Sequence, residues 1–141
     1  MTTTTPKYMA VQGAALLIAA GFVVLGVLGF VPAVTPAGKL FGVFAISGLH
    51  NVLHLVSGFV GFALARTYAA ARAYFLGGGL VYFALWLHGW LMGSRLLPIN
   101  GADNWLHFGL GFVMLLLGVT LAGQRDPTKR RRPGQRKPKD A

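Results

Sequence analysis

The stretch that decides the fold is residues 11–31, VQGAALLIAAGFVVLGVLGFV. It contains no Lys, Arg, Asp or Glu, and its one strongly polar side chain is Gln12. About 20 consecutive apolar residues are enough for one helix to cross the hydrocarbon core of a bilayer. Three further runs, also free of charge, lie at residues 48–65, 73–92 and 104–122. Because lipid offers the backbone no hydrogen-bond partners, these runs predict transmembrane helices.

The composition of the 141-residue chain agrees with a membrane protein. Its hydrophobic fraction is 55% and its charged fraction is 11%, against about 45–50% and about 25% in soluble domains. We therefore predict an all-α polytopic membrane protein with four transmembrane helices, spanning about 11–31, 48–66, 72–92 and 102–122. These form a domain of residues 11–123, between an N-terminal segment, 1–10, and a disordered basic tail, 124–141. A cleaved signal peptide is the alternative for the first run, which exceeds a signal core of about 7–15 residues.

The basic residues give the orientation rather than a nucleic-acid partner. Eight of the 13 Lys and Arg residues lie beyond residue 124, in a tail without aromatic side chains on which bases could stack. With four spans, both termini and the middle connector share the side that carries 11 basic residues, and the other side carries only Lys39 and Arg95. This excess predicts that both termini are cytoplasmic. Within the tail, Arg130, Arg131 and Arg132 are expected to contact anionic lipid headgroups.

An internal repeat relates the second and fourth runs. Residues 46–60 read ISGLHNVLHLVSGFV and residues 99–113 read INGADNWLHFGLGFV, at a constant offset of 53. The shared pattern Gly-x-x-Asn-x-Leu-His-x-x-x-Gly predicts a duplicated two-helix hairpin, with halves related by an axis along the membrane normal. Ser47 and Asn100 are predicted N-caps of the repeated helices, and Asp103 is placed to complete a capping box.

Small residues of the repeat are predicted helix-packing positions. In membranes, glycines allow two helix backbones to approach closely. Helical spacing puts these glycines on the same faces as the repeated polar residues. The packing positions are Gly58, Gly61, Gly111 and Gly118.

A cluster of polar side chains at the outer ends of the spans is the candidate site. The candidate metal or haem ligands are His50, His54, His88, Asp103 and His107, with Asn51 and Asn104 as supporting polar residues. Imidazole and carboxylate together suit a divalent transition metal, and His54 with His107 could instead be the axial ligands of a b-type haem. In the structural interpretation, the same side chains hydrogen-bond across helices and fix their pairing. A proton or small-solute path is the third interpretation, because ionisable groups within spans often mark one.

Catalytic chemistry has little support in the sequence. The chain has no cysteine, and it offers no credible Ser–His–Asp or paired-carboxylate constellation, so no catalytic residue is predicted. The leading interpretation is a structural or accessory membrane component, either a homo-oligomer or part of a larger complex. The alternatives are a haem- or metal-binding protein and a permeation pathway.

Four segments carry a resemblance to a known family. They are residues 29–32, GFVP; 40–44, LFGVF; 50–58, HNVLHLVSG; and 102–107, ADNWLH. Together they resemble a bacterial family of small four-span membrane proteins, domain of unknown function 4383, over about residues 11–121. The resemblance implies the four-span fold and a location in the bacterial cytoplasmic membrane. It implies no activity and no catalytic residues, since the family has no assigned biochemistry.

Overall fold

Four helices make up most of the part of the chain that the computed structural model describes, residues 9–93, 95 and 97–121. Their bounds are α1, Ala10–Leu28; α2, Gly48–Leu64; α3, Tyr68–Met92; and α4, Gly101–Thr120. Between α1 and α2 lie two 3-10 turns, Pro32–Val34 and Pro36–Gly38, and an antiparallel β-hairpin of β1, Lys39–Leu40, and β2, Phe44–Ala45. The helices run alternately up and down. α1 packs mainly on α2, and α3 packs mainly on α4.

Side chains cap three of the helices at their N-termini. The Ser47 hydroxyl accepts from the backbone N–H of His50 at 3.1 Å, and the Thr67 hydroxyl accepts from Ala70 at 3.2 Å. At α4, Asn100 and Asp103 each accept from the other's backbone N–H, at 2.9 and 3.0 Å. The caps predicted at Ser47 and Asn100, and the capping box at Asp103, are therefore confirmed.

Two helix boundaries differ from the sequence prediction. The spans predicted at about 48–66 and 72–92 place the start of the third helix near residue 72, but α3 already begins at Tyr68. Thr67 supplies the cap, and the three alanines that follow Tyr68 are the best helix formers. The first helix was predicted to reach residue 31 but ends at Leu28. Pro32 favours extended backbone at the residue before it, so the helix stops short of it.

Residues 40–46 precede α2 and are not helical. They belong to the β-hairpin, in which Lys39 pairs with Ala45 and Leu40 with Phe44. The reversal needs two left-handed residues, Phe41 at φ 54° and Gly42 at φ 73°. Glycine adopts this conformation freely, whereas a phenylalanine in it is strained by about 1–2 kcal/mol.

The surface of the helices is apolar over much of its area. Leu17 is 77% exposed and Leu91 is 73% exposed, and large apolar side chains are exposed on all four helices. A soluble monomer rarely exposes contiguous apolar patches of this kind. α1, α3 and α4 are each long and apolar enough to cross a membrane, whereas α2, with 17 residues, is shorter. These features indicate a membrane protein.

The close contacts within the two helix pairs are alike. A Cβ at Gly58 of α2 would lie 2.8 Å from the carbonyl oxygen of Ala19 in α1, and a Cβ at Gly111 of α4 would lie 3.1 Å from that of Gly79 in α3. The contact between α3 and α4 is obtained from the contact between α1 and α2 by adding 60 to the residue number in α1 and 53 to the residue number in α2.

The same two shifts relate a second and a third contact. A Cβ at Gly29 would overlap with the side-chain amide of Asn51, and a Cβ at Gly89 would overlap with that of Asn104. At the opposite end of the helices, Gln12 Nε2 donates to the carbonyl oxygen of Ala65 at 3.0 Å. Correspondingly, Arg72 Nε donates to the carbonyl oxygen of Gly118 at 3.2 Å. Three contacts spread along each pair therefore obey one numerical relation.

Candidate functional site

Four rings meet near the middle of the helix assembly. Phe22 of α1 stacks on Tyr82 of α3, with ring centroids 5.3 Å apart and planes inclined by 11°. His54 of α2 lies 5.8 Å from Phe22, and His107 of α4 lies 5.7 Å from Tyr82. These residues are again related by 60 in α1 and α3 and by 53 in α2 and α4. The two candidate histidines thus occupy corresponding places beside a stacked pair at the centre.

A second group of polar side chains lies beneath the β-hairpin and hydrogen-bonds to its backbone. The backbone N–H of Ala45 donates to Asp103 Oδ2 at 2.9 Å, and the imidazole of His50 also hydrogen-bonds with the backbone of Ala45. Asn100 Nδ2 donates to the carbonyl oxygen of Val43 at 2.7 Å. The β-hairpin precedes α2 in the chain, but these bonds attach it to the N-terminus of α4. It therefore joins the two helix pairs at this end.

A cavity of about 240 Å³ lies between α1 and α4, beneath the β-hairpin. α1 and α4 make few contacts with each other, which leaves this space. Its walls are mainly apolar, and they include aromatic rings from both the helices and the β-hairpin. Representative wall residues are Leu17, Phe22, Leu40, Phe44 and Leu110.

The polar part of the cavity wall contains three histidines whose Nδ1 atoms have no hydrogen-bond partner: His50, His54 and His107. The ring centroid of His50 lies 4.6 Å from that of His54 and 6.0 Å from that of His107. His50 is 5% exposed and His107 is 4% exposed. Buried polar atoms are nearly always hydrogen-bonded in native proteins. Three unpartnered imidazole nitrogens around one cavity are therefore unusual.

The structure brings together four of the five candidate ligands. His50, His54, Asp103 and His107 all line the cavity, whereas His88 does not. The carboxylate of Asp103 already accepts two backbone N–H groups. Over residues 9–93, 95 and 97–121, no group of three or more His, Asp or Glu side chains is arranged to hold a metal ion. The lipid-contact residues predicted at 130–132 lie outside the described residues.

The two supporting asparagines pack against the neighbouring helix of their own pair and do not line the cavity. Asn51 is buried against Gly29 of α1, and its Oδ1 has no hydrogen-bond partner. The amide of Asn104, oriented to suit its neighbours, donates to the carbonyl oxygen of Trp86 at 2.9 Å and accepts from Trp90 Nε1 at 3.3 Å. Asn104 thus holds α4 to the end of α3.

The four glycines singled out in the sequence are buried between helices. Gly58 and Gly111 lie against the backbones of α1 and α3. A Cβ at Gly61 would lie 2.8 Å from the hydroxyl oxygen of Tyr74, and one at Gly118 would lie 2.8 Å from Leu76. Each glycine therefore allows an approach that a larger side chain would prevent.

Two parts of the site are not predicted from the sequence: the stacked aromatic pair and the β-hairpin. Phe22 and Tyr82 had no local signal, and only the 60-residue relation between α1 and α3 identifies them as a pair. The β-hairpin did leave a signal, since Leu40 and Phe44 flank a short segment that contains Gly42. Two short apolar segments separated by three residues with a glycine are typical of a hairpin.

These observations define a class: a helical protein with three helices long and apolar enough to span a membrane and a histidine-lined cavity under a β-hairpin. The family described as Domain of unknown function (DUF4383) matches residues 12–120, and the chain belongs to this family. No curated protein and no solved structure matches the chain.

Proposed function

We propose that α2 is a fourth membrane span. Its 17 residues give a length of about 26 Å, near the lower end of the range of about 17–25 residues for a spanning helix. It packs along α1, and its exposed positions include Phe59, at 62%, and Leu49, at 57%. A span slightly shorter than the bilayer is accommodated by local thinning at small cost.

The four spans are a duplicated helical hairpin in this proposal. Its support is the set of contacts that repeat with shifts of 60 and 53, at both ends and in the middle of the helix pairs. Two unrelated hairpins have no reason to place glycine against asparagine at corresponding positions. The difference between the shifts is seven residues. The connector that contains the β-hairpin is therefore longer than its counterpart in the second pair.

The basic residues support an orientation with both termini in the cytoplasm. Arg66 and Arg72 lie at the end opposite the β-hairpin, where α2 meets α3. The β-hairpin side carries Lys39 and Arg95, and the sequence beyond residue 124 adds eight basic residues to the other side. The positive-inside rule favours this orientation. In the cytoplasmic membrane of a bacterium, the tail would then contact anionic headgroups.

The function that the geometry supports best is that of a structural or accessory membrane component without enzymatic activity. The observation that carries it is that polar side chains at both ends tie helices and the β-hairpin together: Gln12 and Arg72 at one end, Asn100, Asp103 and Asn104 at the other. Such bonds contribute about 0.6 kcal/mol each within membranes. On the surface of α3, exposed Ala73 and Gly77 offer a small-residue contact for a second helix, within a homo-oligomer or a larger complex.

Absorption spectroscopy and metal analysis test this proposal against cofactor binding. The purified protein and its His54→Ala and His107→Ala variants are expected to show no Soret band and no stoichiometric metal. A Soret band or bound metal that either substitution removes would favour the haem or metal alternative. A proton flux into liposomes that His107→Ala abolishes would favour permeation instead.

A further inference from the structure

The cavity under the β-hairpin is lined by polar side chains that a packing role alone does not explain. Its 240 Å³ lie between two helices that scarcely touch, whereas protein interiors are otherwise close-packed. Between α2 and α3, by contrast, hydrogen bonds join the two helices, because Tyr74 donates to the carbonyl oxygen of Ser57 at 3.2 Å and Tyr82 bonds to the Ser57 side chain. The two sides of the assembly therefore differ, since the cavity separates α1 from α4.

The longer connector covers only this side. Its β-hairpin places Leu40, Phe41 and Phe44 on the cavity wall. Phe41 adopts φ 54°, the left-handed backbone conformation that non-glycine residues rarely take. Strained backbone of this kind is concentrated at ligand-binding and active sites. The longer of the two connectors is therefore the one that completes the cavity.

The walls select a ring-shaped, lipophilic occupant. Phe22, Phe41 and Phe44 provide flat apolar surfaces. The volume lies below the range of about 300–1,000 Å³ for pockets that hold drug-sized ligands, which favours one or two fused rings rather than a haem. The cavity reaches the lipid-facing surface at Leu17, so a compound dissolved in the bilayer has direct access.

The histidines on the cavity wall favour an occupant that carries oxygen atoms able to form hydrogen bonds. His50 and His107 are more than nine-tenths buried, line the cavity, and carry Nδ1 atoms without a partner. A neutral imidazole has one donor and one acceptor nitrogen. The His50 ring donates to the carbonyl oxygen of Ala45, so its Nδ1 would accept from a hydroxyl group of the occupant, whereas Nδ1 of His107 can donate to a carbonyl oxygen. We propose that the cavity between α1 and α4 is a binding site for a small uncharged ring compound that bears carbonyl or hydroxyl oxygens, of the quinone or phenol type.

The proposal rests on the proposed membrane insertion only for the route by which the ligand arrives. The probe is 2-methyl-1,4-naphthoquinone, titrated calorimetrically into the protein in nanodiscs, with empty nanodiscs as the blank. The comparison compound is 2-methylnaphthalene, which has the same rings and no oxygen. Binding of the quinone to the protein is expected at about one equivalent, and the hydrocarbon is expected to bind at least about fivefold more weakly, the affinity equivalent of one net hydrogen bond.

Two pairs of variants locate the site. Gly21 lines the cavity and has open space around its Cβ position, so Gly21→Leu fills the cavity and should abolish quinone binding. Gly13 of the same helix is equally open but lies elsewhere, and Gly13→Leu should bind normally. His107→Leu should weaken quinone binding at least about fivefold and leave the hydrocarbon unaffected. His88→Leu, outside the cavity wall, should change neither affinity.

Three results would overturn the proposal. They are no quinone binding above the blank, quinone binding that survives Gly21→Leu, and equal binding of the two compounds with no response to His107→Leu. The last result would make the cavity an unselective site for hydrocarbon, such as a lipid chain. Thermal unfolding of each variant shows whether it is folded. A Soret band would contradict the accessory function proposed above, whereas absent quinone binding contradicts this inference alone.

Discussion

The glycines that face Asn51 and Asn104 give the sharpest prediction about stability. In Gly89→Ala the new methyl group overlaps with the Asn104 amide, which must move away from Trp86 and Trp90. Two hydrogen bonds at about 0.6 kcal/mol each, with an overpacking cost of about 1–3 kcal/mol, predict a loss of about 2–4 kcal/mol. Gly29→Ala meets Asn51, whose Oδ1 bonds to nothing, so we expect only the overpacking cost of about 1–3 kcal/mol.

Two other helical glycines provide matched controls. A Cβ at Gly13 of α1 or at Gly77 of α3 meets no atom within 4 Å. Alanine is the better helix former by about 0.5–1 kcal/mol, so Gly13→Ala and Gly77→Ala should leave the free energy of unfolding unchanged or raise it slightly. The free energies can be measured by steric trapping in bicelles, which reports unfolding within a lipid environment.

A double-mutant cycle separates the clash from other effects. Asn104→Ala removes the amide that the new methyl group would strike, so Gly89→Ala should cost at least about 1 kcal/mol less in that background, as expected of residues in direct contact. Equal stabilities of Gly89→Ala and Gly77→Ala, or a cycle without coupling, would refute the proposed contact between α3 and α4.

Two further predictions concern the polar anchors at the two ends. Asp103→Ala leaves the N–H groups of Ala45 and Asn100 without their acceptor. At about 1–3 kcal/mol for each of these two groups, we expect a loss of about 2–6 kcal/mol and faster hydrogen exchange at Ala45. Unchanged exchange would contradict this role. At the other end, Arg72→Met keeps most of the side chain but loses the bond to Gly118, which should lower the free energy of unfolding by about 0.5–1.5 kcal/mol. The control is Arg66→Met, at an exposed side chain without such a bond to the described residues, which should have no measurable effect.

The helices and caps could be predicted because their signals are local. Apolar runs of about 20 residues, Ser47 and Asn100 before them, and the repeated Asn and His at a 53-residue offset are all readable in one pass along the chain. The start of α3 differs from the predicted one, since the helix begins at Tyr68 and includes Arg72. Whether an arginine ends a span or lies inside its first turn depends on where its charge reaches the interface, and hydropathy does not encode that.

The site depends on how the helix pairs pack against each other. The sequence identified His50, His54, Asp103 and His107, because helical spacing placed them on matching faces. It also included His88, whose place in α3 is similar in depth but outside the cavity. The stacking of Phe22 on Tyr82 and the docking of the β-hairpin on α4 are contacts between distant segments. Such contacts follow from three-dimensional packing and not from any local pattern.

The measurement that tests the central claim most directly is the sidedness of the two ends of α2. The chain has no cysteine, so each introduced cysteine is the only thiol available to a membrane-impermeant maleimide. Val43, in the β-hairpin, and Ala69, in the first turn of α3, are both exposed. With four spans and cytoplasmic termini, Val43→Cys should be labelled in intact cells and Ala69→Cys only after permeabilisation. Labelling of both cysteines from the same side would contradict the account, because α2 would then not cross the membrane.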